Sequence, residues 1–370
     1  MKKALFFAIS ITLLLFTVGC AEQKILERIS LAILIGYDLE NDNEVTATTA
    51  IRTVNQDYES VVLTISETAA TSKGTRVKVN LNTSKKVMAG QLRVVLVSKE
   101  LAEAGLNDTL HTLVINSEVS SSVYLAVVDG DTKSLITAPY ENVSDVGQHV
   151  FNLLDHNIEQ ELTVSSTGHE VLRDHNSSFK NMVLPILKLE GIDQITISGI
   201  ALFDNTKMVG QLNNGDNVFY VQMLRKKFEN GTLQIEIPGD AFQVKDNIQL
   251  AIDSIKSNRT IKVTNPNTPE FDIQLDVKCR LLELSEDLAI GDPMILNKIE
   301  EEMSKKMKSE LEGILKFAQD LKSDIFGFGE IYHGSVRDSD LDEEKWTELF
   351  PKSKMNLNVD VQIIRNGVFE

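Results

Sequence analysis

Only two cysteines occur in 370 residues, Cys20 and Cys279, too few for a disulfide framework. Positive charge is scarce as well: 37 Lys and Arg stand against 54 Asp and Glu, a formal net charge of −17. So acidic a chain is repelled by nucleic acid and by anionic headgroups, so no nucleic-acid partner is expected. Residence at a membrane then has to come from a lipid or a protein partner rather than from a basic patch. Long apolar runs are missing after the first twenty residues, and no later segment is long enough to cross a bilayer.

Catalytic signatures are missing too. There is no P-loop and no nucleophile elbow, and Gly327-Phe-Gly329 lacks the third glycine of a dinucleotide fingerprint. His169-Glu170 opens like a zinc-protease helix, but Arg173 stands where the second histidine belongs. The spacings His149/His156 and His169/His175 together fit no one helical face cleanly and have no cysteine or carboxylate at ligand spacing, so these residues read as surface or capping groups. Asp338-Ser-Asp340-Leu-Asp342-Glu-Glu344 starts like a calcium loop, yet Glu343 replaces the glycine at its sixth position and Leu349 the acid at its twelfth. It reads as a solvated acidic loop. No nucleophile is paired with a base, so an enzyme, a metal and a cofactor are not expected.

What the sequence does have begins at its first residue. Lys2-Lys3, an apolar run from Ala4 to Val18 and then Gly19-Cys20 form a basic head, a hydrophobic stretch too short to span comfortably, and a small residue before a break. That is a cleaved export signal over residues 1–19. The cysteine after the break changes its meaning: Thr17-Val18-Gly19-Cys20 resembles a bacterial lipobox, although position 17 is usually aliphatic. Cys20 is then the lipidation site. Two acyl chains of the palmitate type, at about 0.8 kcal/mol per buried methylene, hold a protein stably at a membrane surface. Cys279 is left without a partner, and alternation in Asp276-Val-Lys-Cys-Arg-Leu281 puts it on the buried face of a strand.

The remaining length exceeds a single core and predicts two or three domains. In the N-terminal region, 20–198, Ile33 to Tyr37 and Val45 to Val54 read as a hairpin around Glu40-Asn-Asp-Asn43. Ser60 to Thr71, with Val61, Val62, Ile65 and Ala69, reads as a helix. Leu92 to Val97 is a strand; Ser98 opens a short helix that Gly105 stops, a helix follows over 108–115, and Ser122 to Val128 is a strand. A subdomain break falls near 130–145. Val143, Val146, Val150, Leu153, Leu154 and Ile158 form one helical stripe, and the polar stretch Thr163 to Asn181 with Pro185 closes this half. Ile195 to Phe203 and Lys207 to Leu212 form a hairpin that opens the C-terminal domain, 199–370. Strands follow at 233–237, 248–255, 260–263 and 271–284, then a long helix over about 294–322 whose apolar residues step by three or four from Leu296 to Leu321. Met355 to Ile363 alternates as a last, antiparallel strand. The class is α+β, with mixed, largely antiparallel sheets, interleaved too irregularly for a doubly wound sheet.

Three blocks make the chain recognisable: Gly90-Gln-Leu-Arg-Val-Val-Leu-Val-Ser-Lys-Glu-Leu-Ala-Glu-Ala-Gly105; Gly199-Ile-Ala-Leu-Phe-Asp-Asn-Thr-Lys-Met-Val-Gly210; and Asp324-Ile-Phe-Gly-Phe-Gly-Glu330 with Trp346 and Phe350-Pro351 behind it. In order and spacing, behind a lipobox cysteine, they resemble the Ger(x)C lipoproteins, the C subunits of spore germinant receptors. Ala21-Glu22-Gln23, Gln91 and Asn116 to Ser120 depart from that family's usual residues, so contacts at those positions differ here. The resemblance implies a multi-domain α+β fold, anchoring at the outer face of the spore inner membrane, and assembly with an A subunit and a polytopic B subunit. Whether this subunit meets the small-molecule germinant is not implied. The turn at Asp324, Gly327, Gly329 and Glu330 is either a partner contact or a structural junction with Phe326 and Phe328 as packing anchors. A different class, the lipoprotein solute-binding component of an uptake system, shares the anchor and the acidity; its lobes are parallel α/β sheets, which the interleaved hairpins oppose.

Overall fold

The computed structural model describes residues 29–41, 44–54, 60–213, 215–265, 268–336 and 341–366. Cys20 and the export signal, Pro266, Asp338 and Asp340 lie outside the described residues. Thirteen strands and ten α-helices occur among the described residues. The strands are β1 Ile29–Asn41, β2 Glu44–Val54, β3 Ser60–Ala69, β4 Lys86–Met88, β5 Val94–Ser98, β6 Tyr124–Val128, β7 Val183–Glu190, β8 Gln194–Asp204, β9 Lys207–Asn213, β10 Leu233–Ile237, β11 Ile248–Asn265, β12 Glu270–Leu284 and β13 Lys354–Asn366. The helices are α1 Ser72–Leu81, α2 Lys99–Ala104, α3 Asn107–Ile115, α4 Thr132–Thr137, α5 Val146–Glu159, α6 Gly168–His175, α7 Asp216–Arg225, α8 Pro293–Asp320, α9 Phe328–Ser335 and α10 Glu343–Leu349.

Nine strands form one sheet in the order β3-β2-β1-β5-β6-β7-β8-β9, with β4 beside β1. Its centre is parallel: β1 pairs with β5, β5 with β6 and β6 with β7. Antiparallel strands extend it on both sides. The parallel centre follows from the residues, since all five of Val94-Val-Leu-Val-Ser98 are buried, the uninterrupted reading of a strand covered on both faces. On one face Leu101, Leu110 and Val171 of α2, α3 and α6 pack against Val95, Val97, Leu125 and Val127. On the other, Leu135, Val146, Val150 and Leu154 of α4 and α5 meet Val94, Leu96, Ala126 and Val128. Side chains start these helices: Ser98, Asp131 and Asp145 accept from backbone N–H groups three residues on, and Thr167 with Glu170 forms a capping box.

The second sheet has the order β10-β11-β12-β13. Helix α8 starts at Asp292 and Pro293 and lays Ile299, Met303, Met307, Leu311 and Ile314 onto one face. Each such side chain contributes roughly 1.5–3 kcal/mol through burial. Cys279 lies on this inner face, fully buried and free.

Several expectations need correction. Ser60 to Ala69 is a strand paired with β2 along its whole length, because Val61, Val62, Thr64 and Ile65 are β-branched and stiff at χ1 and find a partner edge there. The strands expected at 248–255 and 260–263 are one strand, β11, interrupted by a register shift where Ser254 adopts φ 52°. Thr163 to Asn181 carries α6, and Pro185 lies within β7. The hairpin at 195–212 is formed as β8 and β9, but it extends the nine-stranded sheet rather than the second one. The interval 130–145 is a connection carrying α4 between strands of that same sheet. The last strand runs parallel to β12, not antiparallel. The α+β class holds, with a parallel, helix-flanked centre that the interleaving had argued against.

Candidate functional site

The chain leaves α8 through Lys322, at φ 57°, and then turns sharply. Asp324 follows, and its side chain points inward, only 1% exposed. One carboxylate oxygen accepts from the N–H groups of Phe326 (3.2 Å) and Gly327 (2.9 Å). The other accepts from Gly329 N–H (2.8 Å) and from the indole N–H of Trp346 (3.1 Å). Burial pushes Asp324 from 3.8 up to about 6, against the pull of these donors. Gly327 sits at φ 80°, a region that side chains avoid, and starts α9. Gly329 is there for space: a Cβ would stand 2.6 Å from Trp346 ring atoms and 2.8 Å from the Phe179 carbonyl. Phe326, Phe328, Tyr332, Trp346 and Phe350 close around the turn as one aromatic cluster.

The turn is fastened to the first sheet. Asp324 N–H donates to Asn181 Oδ1 and Asn181 N–H to the Asp324 carbonyl, both at 2.8 Å. Ser323 donates to the Phe203 carbonyl of β8 at 2.5 Å. Beside it lies a buried charge cluster: Asp174, 4% exposed, meets Arg173 (2.7 Å), Lys180 (3.2 Å) and Arg225 (3.3 Å). Arg225 also donates to the Ile325 carbonyl at 2.6 Å, so α6, α7 and the turn share one network. Burial lowers the Arg225 and Lys180 pKa values, and the neighbouring Arg225 guanidinium lowers that of Lys180 further. Glu330 is the exposed member of the predicted set; it accepts from Ser177 at 2.8 Å.

The structure therefore brings Asp324, Gly327, Gly329 and Glu330 together, three of them facing inward. The sequence reading missed Asp174, Lys180 and Arg225, which no spacing connects to the turn. Its other candidates scatter. Glu170 belongs to the capping box, and Asp342 caps α10 by accepting from Lys345 N–H at 2.8 Å. Among the described residues no group of His, Cys, Asp and Glu is arranged to hold a metal ion.

Residues 22–189 match the family model described as spore germination protein N-terminal domain, and residues 198–367 match spore germination B3/GerAC like, C-terminal. The chain belongs to the Ger(x)C family. Along its full length this Ger(x)C chain is 25% identical to the spore germination protein GerQC of Bacillus cereus, over 371 residues that cover both chains completely. Its fold resembles the crystal structure of the GerBC protein, with a TM-score of 0.52 at 16% identity, covering 89% of this chain and 96% of that one. Asp174 and Lys180 lie in the first matched region and Arg225 and Asp324 in the second, so the buried network fastens the two regions together.

Proposed function

We propose that this Ger(x)C chain is the lipid-anchored, non-catalytic C subunit of a spore germinant receptor, held through Cys20 at the outer face of the spore inner membrane and assembled with A and B subunits. The observation that carries this reading is the match of both family regions, in order, together with a full-length germination relative. Thr17-Val18-Gly19-Cys20 supports the anchor. No helix among the described residues is long and apolar enough to cross a membrane. The non-catalytic reading is supported by how the buried acids are used: Asp324 accepts from four internal donors and both oxygens of Asp174 are engaged by internal cations. Affinity capture from solubilised spore membranes tests the assembly, with A and B subunits expected in the eluate; capture of the chain alone, under detergents that preserve receptors, would refute it. Mass spectrometry of the mature amino terminus tests the anchor, and a free terminus downstream of Cys20 would remove it.

One observation favours the solute-binding alternative. The carboxyl ends of β1, β5 and β6, where open α/β sheets hold ligands, form a hollow of about 360 Å³ lined by Asp38, Lys99, Glu100, Glu103 and Asp131. Against it, the Asp38 carboxylate is occupied by Thr132 N–H (2.6 Å), Thr132 Oγ1 (2.8 Å) and Lys133 N–H (3.1 Å). The second sheet is also no parallel lobe to close over the first. Calorimetric titration with nutrient germinants separates the readings: no heat is expected for this chain alone.

A further inference from the structure

Residues 68–99 carry Lys73, Arg76, Lys78, Lys85, Lys86, Arg93 and Lys99 and no aspartate or glutamate, inside a chain where acids outnumber bases 54 to 37. The structure gathers five of these cations at one corner of the nine-stranded sheet. Helix α1 buries Ser72, Thr75 and Val79 and leaves Lys73, Val77, Lys78 and Leu81 exposed. Val77 and Leu81, four residues apart on one face, are 55% and 78% exposed. On the adjoining α3, Val114 and Ile115 are 58% and 54% exposed. Among the described residues, two carboxylates touch this corner, Glu118 against Arg76 at 3.1 Å and Glu67 accepting from Asn82 at 2.5 Å, fewer than the cations Lys73, Arg76, Lys78 and Lys86.

The corner is also where the chain enters the fold. Strand β4 lies parallel to the start of β1, with Ile29 beside Lys86 and Ser30 beside Val87. Cys20 precedes Ile29 by nine residues, which extended reach about 30 Å. Given the proposed anchor, a lipid on Cys20 keeps this corner within reach of the bilayer.

We propose that α1 and the connection from α1 to β4 form a membrane-contact surface. It sets Lys73, Lys78 and Lys86 against anionic headgroup phosphates and lets Val77 and Leu81 enter the interface, orienting the tethered protein. The chain's overall negative charge does not oppose this, because at physiological ionic strength charges act over about 8 Å and the acids of distant elements are screened. The expectation that membrane residence owes nothing to a basic patch came from averaging charge over the whole sequence. An acyl anchor and a basic, partly apolar surface are complementary signals, one giving residence and the other orientation.

The chain from residue 21 onward contains every described residue and carries no lipid, so its sedimentation with vesicles isolates the surface from the anchor. Binding to phosphatidylglycerol-rich vesicles, falling with salt, and none to phosphatidylcholine vesicles is expected. The variant Lys73→Glu, Lys78→Glu, Lys86→Glu is expected to bind at least about tenfold more weakly with an unchanged thermal melt. Leu81→Asp, on an exposed side chain, is expected to weaken binding at high salt, where the charges are screened. An unbound native chain, or a charge variant that binds equally, overturns the proposal. So does a variant that binds no vesicle differently but loses receptor partners on capture, since the surface then docks a protein. Failure of the anchor reading is seen separately, at the amino terminus of the mature protein, and leaves the vesicle result standing.

Discussion

Asp324 holds four donors and sees almost no water, so the energy of its proton is divided between two opposed demands. Desolvation wins, and the carboxyl loses its proton near pH 6 in the folded chain instead of near 3.8. Between those values the folded chain holds a proton that the unfolded chain has lost. The associated stability, on the order of 3 kcal/mol, is present below pH 4 and disappears as pH rises through 6. Asp324→Asn turns an amide NH₂ toward donors, so a loss of about 1–3 kcal/mol is expected at neutral pH. Thermal melts across pH should show that deficit widening from pH 7 to pH 4, because only the native chain gains. Cys279 is simpler: burial pushes its thiol up to about 12, so labelling should require denaturant. Rapid modification of the folded chain would mean that the face between β12 and α8 opens.

At the scale of elements, the turn from Ser323 to Glu330 separates structural from surface roles. Gly329→Ala forces a methyl into Trp346 and the Phe179 carbonyl, and a loss of about 2 kcal/mol or more in a denaturant melt is expected. Glu330→Ala should change stability by no more than about 0.5 kcal/mol, because its bond to Ser177 is at the surface. A Glu330→Ala variant that melts normally and still assembles and germinates would leave this turn with its structural role alone. The local elements that sequence made legible were those with one dominant face: α5, α8 and β10 match their periodicity closely. Strand β3 was misread because Val61, Val62, Ile65 and Ala69 also satisfy a helical period, and no simple alternation marks a strand lying partly exposed on both faces. Helix α1 was invisible because it buries small polar residues, Ser72 and Thr75, beside Val79. Helix α7 was invisible for the opposite reason, since Val218 to Leu224 is buried on every side and shows no stripe.

For the whole molecule, what sequence could not show is how the two sheets are joined. Asp174 and Lys180 are far from Arg225 and Asp324 in the chain, and burial of a charge is a property of the assembled fold. Arg225→Ala removes a cation from buried Asp174 and a donor from the Ile325 carbonyl, a loss of about 3–5 kcal/mol. Calorimetry of the native chain should give one transition, and Arg225→Ala two, as the sheets lose their common fastening. A native chain that already melts in two steps would show that this network does not couple them. The place where β1 begins has a mechanical consequence. Ile29 opens an interior strand, flanked by β2 on one side and by β4 and β5 on the other. Tension applied along the strand axis loads those ladders together in shear, rather than peeling hydrogen bonds away one by one. A pull in that direction is thus carried by the interior of the sheet, where β1 has neighbours on both sides.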